Sequence, residues 1–434
     1  MSERRAVHDA WPEGTMRRRA GQAAPEVEVV RPRSVDEVRD ALRSGRRVVP
    51  LGGGSGVCGA VAPEPDDLVL DLGDLREIEI DEVDLVCRAQ AGVLGLELER
   101  RLQERGLTLG HFPSSLPVAT VGGMVSTRSC GQESTRHGAI EDLVMGLEVV
   151  LPDGTLLEAA AQPRSGLPAL HQLFVGAEGG LGVIVSAALR VRRLPERVLG
   201  RGWRLPDVHR GLEAMRELTQ RDLRPLVLRL YDPEDALFQG QSEGCLLIVA
   251  AAGCAGVAEA EAAVIGRTLS GLGAEDLGEE PWNRWLARRF DLSLERLQQM
   301  LEPQGSFVDT IEVAARWSAL EETYRAIKAH LSGVGLALCH FGHPYGQGAC
   351  AYFTLAGSAD DDEAALAAHS RAWEGTMAIA LERGAAISHH HGVGRARARW
   401  VEAGLGGWAD VWRLVRGALD PEGRMNPGAL GGLR

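Results

Sequence analysis

Three consecutive histidines, His389, His390 and His391, are the densest concentration of reactive side chains in the chain. Imidazoles titrate near neutral pH, so such a run can orient a phosphate or carboxylate and move protons. Successive side chains on a strand or helix point in different directions, so at most two of the three enter one pocket. The flanking Ser388 and Gly392-Val393-Gly394 favour a tight internal loop over a surface cluster. Tyr345 is one of only four tyrosines. With its hydroxyl on a neighbouring histidine it is an acid–base candidate; otherwise it is a packed residue. Arg229 sits in the apolar run PLVLRLYD at 225–232. A charge there is costly unless paired, so it holds an anion or a cofactor, or it salt-bridges Asp232. Glu312 and Arg296 are secondary candidates.

Such groups need a scaffold, and the scaffold is written in glycine. The stretch 109–144, LGHFPSSLPVATVGGMVSTRSCGQESTRHGAIEDLV, is poor in long apolar side chains and carries Gly122 and Gly123 together. It reads as neither helix nor strand, but as backbone laid against a ligand with no Cβ in the way. Two more glycine-rich stretches flank it, VVPLGGGSGVCGAV at 48–61 and FVGAEGGLGVI at 174–184. Three such loops point to one large ligand. A strand followed by a glycine loop presents consecutive free N–H groups, which suits a pyrophosphate. No GK[ST] follows, so this is not a Walker A loop. Val61-Ala62-Pro63 breaks any helix there, so it is not the Rossmann fingerprint either.

The 434 residues suffice for two or three domains, and 45% hydrophobic with 25% charged residues is ordinary for a globular protein. The net charge of −13 argues against nucleic acid as a partner. Seven scattered cysteines without a CxxC indicate reduced thiols in a cytoplasmic protein, with neither a disulfide framework nor a zinc site. No apolar run reaches the roughly 18–20 residues that span a bilayer. The charged N-terminus lacks the apolar core of a secretory signal.

In chain order, 1–23 is expected to be a loosely held lead-in. Strand, turn and helix follow over 26–45, with Ser34 as N-cap and Glu37 completing a capping box. Short strands alternate over 67–90, a helix covers 94–106, and a hairpin covers 145–160 around Pro152-Asp153-Gly154. A short helix at 168–176 and a strand at 182–196 end the α+β domain of 24–196. The next segment, 197–383, reads as strands at 225–231, 245–252, 307–313, 334–341 and 349–355 with helices at 207–220, 256–272, 317–332 and 361–383. That pattern implies a cap domain with an antiparallel sheet and helices on one face. Residues 384–434 hold the histidine loop and a turn-rich tail that packs back on the first domain.

The motifs VVPLGGGSG, PSSLPVATVGGMVSTRSCGQ…HGAIEDLVMGLEVVLPDG and GAEGGLGVI, in that order and spacing, resemble the two-subdomain PCMH-type FAD-binding domain of the vanillyl-alcohol-oxidase family. Residues 197–434 resemble the C-terminal half of FAD-linked oxidases. Within these, SHHHGVGRARARW at 388–400, YGQGACAYFTL at 345–355 and LRLYD at 228–232 resemble the alkyldihydroxyacetonephosphate synthases. The 2-hydroxy-acid dehydrogenases of the group carry a metal-binding HxxxxxxH; here His343 is followed seven residues later by Cys350, so no metal is expected.

The resemblance implies noncovalent FAD. Pro50, Gly52, Gly53, Gly54, Ser55 and Gly56 would meet its pyrophosphate. Pro113, Ser114, Thr120, Gly122, Gly123 and Ser126 would run along the ribityl chain and isoalloxazine. Ile140, Glu178, Gly179 and Ile184 would lie towards the adenosine. Cys130 and His111 are the residues that would carry a covalent link if one existed. The implied activity exchanges the acyl group of acyl-dihydroxyacetone phosphate for a fatty alcohol through a flavin N5 adduct, as in ether-lipid synthesis. Tyr345 with His391 would move the alcohol proton, and Arg229 with His389 or His390 would neutralise the phosphate. The alternative is oxidation of a 2-hydroxy acid or related hydroxylated substrate on the same scaffold. A small lipid-like or hydroxy-acid substrate, peripheral membrane contact and a homodimer complete the expectations.

Overall fold

The computed structural model describes residues 2–163, 165–291 and 299–432. The fold is α+β and divides into two compact units. The first comprises Met1–Ser129, Ala139–Arg193 and His390–Arg434; the second comprises Cys130–Gly138 and Leu194–His389.

The first unit holds two main sheets. One has four strands in the order Ser2–Ala6, Glu26–Val30, Leu68–Asp71, Val48–Leu51; its first pair is antiparallel and the others parallel. The other is antiparallel, in the order Ile78–Asp81, Val86–Gln90, Val183–Arg190, Val144–Val150, Leu156–Glu158. The helix Val35–Arg43 starts where its residues dictate. Ser34 Oγ accepts from the Glu37 amide at 3.2 Å, and the Glu37 carboxylate accepts from the Arg33 amide at 2.7 Å. Such a cap is worth about 1 kcal/mol. Its Val38 and Leu42 are buried with Val48, Leu68, Leu70 and Val185, which ties the helix to the strand that feeds the glycine loop.

Three segments outside residues 197–383 differ from the sequence reading. Residues 1–23 are not a loose lead-in. Ser2–Ala6 pairs along Glu26–Val30, the helix Pro12–Arg19 follows, and Val7 and Met16 are buried. Asp9 anchors the segment by accepting from the Trp11 and Val61 amides, both at 3.3 Å. Burial pushes its carboxyl up to about 7 against these hydrogen bonds. The surrounding arginines hid this order, since few apolar residues mark it. The stretch 109–144 contains the short helices Val121–Ser126, Ser134–His137 and Ile140–Leu143. Thr120 caps the first, accepting from the Gly123 amide at 3.2 Å. A Cβ on Gly122 would stand 2.7 Å from that of Ala91, so tertiary packing overrides the poor intrinsic propensity. The tail carries a twelve-residue helix, Trp408–Leu419.

The second unit is built on a seven-stranded antiparallel sheet. Its order is Glu275–Asp276, Arg197–Leu205, Cys245–Gly253, Val227–Tyr231, Leu336–Tyr345, Gly348–Ser358, Ser306–Arg316. Val208–Gln220, Ala255–Gly271, Trp317–Ser332 and Asp362–Glu382 are its long helices. Gly211, in the first of them, lies against Leu230 of the sheet. The opposite sheet face receives the helix Glu280–Arg288, whose Trp282 and Trp285 cluster with Val227, Tyr231 and Ile248. The strand Arg197–Leu205 escapes sequence reading because Gly200 and Gly202 interrupt it. Those glycines make room for Trp282 and Pro281. Among the described residues, no helix is long and apolar enough to cross a membrane.

Candidate functional site

In the first unit the glycine loops converge. A Cβ on Gly52 or Gly53 would collide with Thr120 Oγ1 or the Val118 carbonyl respectively. Gly179, at φ +74°, lies against Pro50, where a Cβ would stand 2.8 Å from the ring. Gly54 takes φ +65°, the left-handed conformation that favours glycine. Gly56 lies against the Asp9 carboxylate, and Ser55 lies between them, half-buried. A cavity of about 270 Å³ opens between this loop and the N-terminal strand, lined by Leu51 to Gly54, Arg5 and His8 among others. Arg5 is itself paired with Glu3 and Asp71, so it is the glycine backbone, whose N–H groups can cradle a diphosphate, that fits FAD here.

The other expected cofactor residues are placed unevenly. Ser126 Oγ donates to the Gly123 carbonyl at 3.1 Å, and its own carbonyl accepts from the Glu178 amide at 2.9 Å. Pro113 is buried and opens the turn that leads to Val118, while Ser114 is exposed. Ile140 and Ile184 are buried. The Glu178 carboxylate is committed within the protein. It accepts from the Val393 amide at 2.6 Å and from the Gly394 amide at 2.9 and 3.0 Å. Asn426 Nδ2 donates to the Glu178 carbonyl at 2.7 Å. Glu178 therefore secures the C-terminal segment, with its carboxylate, amide and carbonyl all engaged within the protein. His111 is buried, with Nε2 2.7 Å from Ser129 Oγ, and burial pushes its pKa down to about 3; the imidazole is neutral.

In the second unit, strand register sets a polar row on one sheet face. Tyr231 pairs with His340, His340 with Tyr352, and Tyr352 with Glu312. Directly paired residues share a face, and Arg229, two before Tyr231, joins them. Arg229 Nη2 is 2.6 Å from His340 Nε2, and His340 Nδ1 is 3.3 Å from Asp235 Oδ2. The His340 ring stacks on Tyr352, centroids 4.5 Å apart at 20°. Burial raises the Asp235 carboxyl, but the hydrogen bond from His340 and the nearby Arg229 charge work against it, and the pKa is lowered. The Arg229–Asp232 bridge is not formed. Asp232 is bonded to Lys328 and to the Tyr324 hydroxyl.

The Tyr345 hydroxyl lies 2.7 Å from His389 Nε2. The sequence pairing was with His391, which belongs to the other unit, as does His390; those two rings meet edge to face, centroids 4.5 Å apart. Glu312 is fully buried and accepts from the His389 amide at 3.0 Å and from Ser388 Oγ at 3.4 Å, so the start of the histidine run is held to the sheet. His343 Nδ1 is 2.7 Å from Ser134 Oγ and 3.3 Å from Cys130 Sγ. Cys350, at the position of the second metal-binding histidine, is buried. Desolvation raises its thiol pKa well above the usual range, and it keeps its proton. Arg296 lies outside the described residues. His340, Asp235 and Tyr352 were not singled out from sequence, although Arg229 and His340 each interrupt the apolar residues of a strand.

Residues 28–160 match the FAD binding domain, and residues 194–430 match the C-terminal domain of FAD linked oxidases. The chain belongs to the FAD-linked oxidase family. It is a flavoenzyme family, and FAD is the cofactor. Alkyldihydroxyacetonephosphate synthase of Dictyostelium discoideum is 28% identical over 96% of this chain and 75% of its own. The uncharacterized FAD-linked oxidoreductase YgcU of Escherichia coli K12 is 32% identical over 88% of this chain and 83% of its own. A solved alkyldihydroxyacetonephosphate synthase superposes with a TM-score of 0.82 at 24% identity, covering 97% of this chain and 81% of the other; this likeness establishes the FAD-linked oxidase fold.

Proposed function

We propose that this FAD-linked enzyme exchanges the acyl group of an acylated dihydroxyacetone phosphate for a fatty alcohol. The observation that carries the reading is the Tyr345–His389 pair at 2.7 Å, fixed to the sheet through Glu312. A phenol on an imidazole can take a proton from an incoming alcohol and return one to a leaving carboxylate. Arg229, with no carboxylate in direct contact among the described residues, supplies a cation for the phosphate. When bound, FAD supplies the electron sink; the chain's own groups bind, orient and move protons. Cys350, standing where the metal-binding pattern has its second histidine, supports this over the metal-assisted oxidation of hydroxy acids. The fatty acid leaves, the alcohol oxygen takes its place, and substrate and product stand at the same oxidation level.

A second reading, oxidation of a hydroxylated substrate such as a 2-hydroxy acid, is supported by the likeness to the glycolate oxidase subunit GlcD of Bacillus subtilis, 28% identical over 94% of this chain and 89% of its own. One incubation separates them. Flavin-loaded protein given acyl-dihydroxyacetone phosphate and a fatty alcohol should release free fatty acid and form the ether. No ether, together with anaerobic bleaching of the flavin by a 2-hydroxy acid, would select the second. We further propose that FAD is held noncovalently. His111 is buried and bonded to Ser129, and Cys130 is bonded to His343. Acid precipitation is expected to leave a white pellet and a yellow supernatant; a yellow pellet would refute this.

A further inference from the structure

We infer that Asp235 and His340 are positioning residues that hold the Arg229 guanidinium as a fixed cation for the anionic end of the substrate, an inference that rests on the reading of Arg229 given above. A guanidinium only donates hydrogen bonds. His340 Nε2, at 2.6 Å from Arg229 Nη2, must therefore be the unprotonated, accepting nitrogen. The ring proton then sits on Nδ1, facing Asp235 Oδ2 at 3.3 Å. The carboxylate selects the tautomer, and the tautomer provides the acceptor that aims the arginine.

The arrangement keeps the carboxylate one imidazole away from the guanidinium. A direct bidentate Arg–Asp pair would satisfy the same desolvation cost but would occupy the donors that an anion needs. Asp232, the acid nearest in sequence on the strand side, is instead bound to Lys328 and Tyr324. Arg229 Nε is buried without a hydrogen-bond partner among the described residues, so donor capacity remains. Tyr231 lies beneath the guanidinium at 5.3 Å, and Tyr352 fixes the His340 ring plane. The anion that fits is a phosphate monoester or a carboxylate, for which sulfate, whose charge is constant from pH 5 to 9, is the probe.

The test is sulfate binding to the flavin-loaded full chain by calorimetry. Arg229→Met should weaken it by about a hundredfold; binding as in wild type would remove the reading on which the inference rests. His340→Phe keeps the stacking surface and loses the acceptor. His340→Gln loses the ring and keeps an acceptor and a donor. The positioning role predicts a loss of about tenfold or more in the Phe variant and affinity within threefold of wild type in the Gln variant. Asp235→Asn, nearly isosteric, should fold and lose affinity in the same direction as the Phe variant. A packing role predicts the reverse order for Phe and Gln. Wild-type affinity in His340→Phe or in Asp235→Asn, or equal losses in the Phe and Gln variants, overturns the inference while leaving Arg229 as the anion's partner.

Discussion

Tyr345→Phe is expected to leave fold and flavin content unchanged and to cut turnover by about 10²–10⁴-fold, the range for losing a general acid–base group. That is about 2.7–5.5 kcal/mol of barrier. Only one hydroxyl is removed, and Tyr345 is 41% exposed, so little packing is lost with it. His389→Ala should fall by a similar factor, because the two side chains share one hydrogen bond at 2.7 Å. Which of them carries the proton depends on the His389 tautomer, but either assignment needs both. The double variant should therefore be little worse than either single one, since residues acting as a unit are strongly non-additive. His391→Ala is the control that separates the two possible pairings. If it loses as much as Tyr345→Phe and the two losses do not multiply, the relay belongs to His391. If Tyr345→Phe and His389→Ala both turn over within threefold of wild type, the pair has no part in the chemistry.

The difference between the two histidines shows what a sequence carries and what it leaves out. The run of three was visible, and so was the limit of two per pocket. His389 is held where it meets Tyr345 by Glu312, fully buried and accepting from the His389 amide, and no periodicity announces that contact. The strand bearing Arg229 was legible because the apolar run LVLRLY marks it; the strand bearing Tyr345 was read only as far as residue 341, and it runs on to Tyr345. The polar row was not legible, since it is assembled by register across four strands, and pairing register is a tertiary property. The strand Arg197–Leu205 was lost for a related reason. Its two glycines look like breakers, yet they face Trp282 and Pro281 and exist to admit them. The glycine loops were recognised, but part of their cause was not. At Gly52 and Gly53 it is neighbouring protein atoms, Thr120 and Val118, that exclude a Cβ.

Gly53→Ala is accordingly expected to yield no stable, flavin-loaded protein. The added Cβ would run into the Val118 carbonyl oxygen and stand 2.8 Å from its carbon. Those are backbone atoms, so no rotamer change relieves the clash, and the loops at 52–54 and 118–120 must separate. The cost should exceed the roughly 1–3 kcal/mol of ordinary overpacking. Flavin cannot restore the loss at practical concentrations, because a ligand at a hundred times its Kd contributes only about 2.7 kcal/mol. Gly123→Ala is the contrasting case. Its Cβ would meet only Thr120 Oγ1, at 3.2 Å, a side-chain atom that can give a little. That variant should fold with a melting temperature near wild type, measured without flavin. Its flavin affinity then reports whether the cofactor itself approaches residue 123. A soluble, fully yellow Gly53→Ala protein with an unshifted melting temperature would show that the two loops are not packed as described, and the glycine cradle would have to be redrawn around the ligand alone.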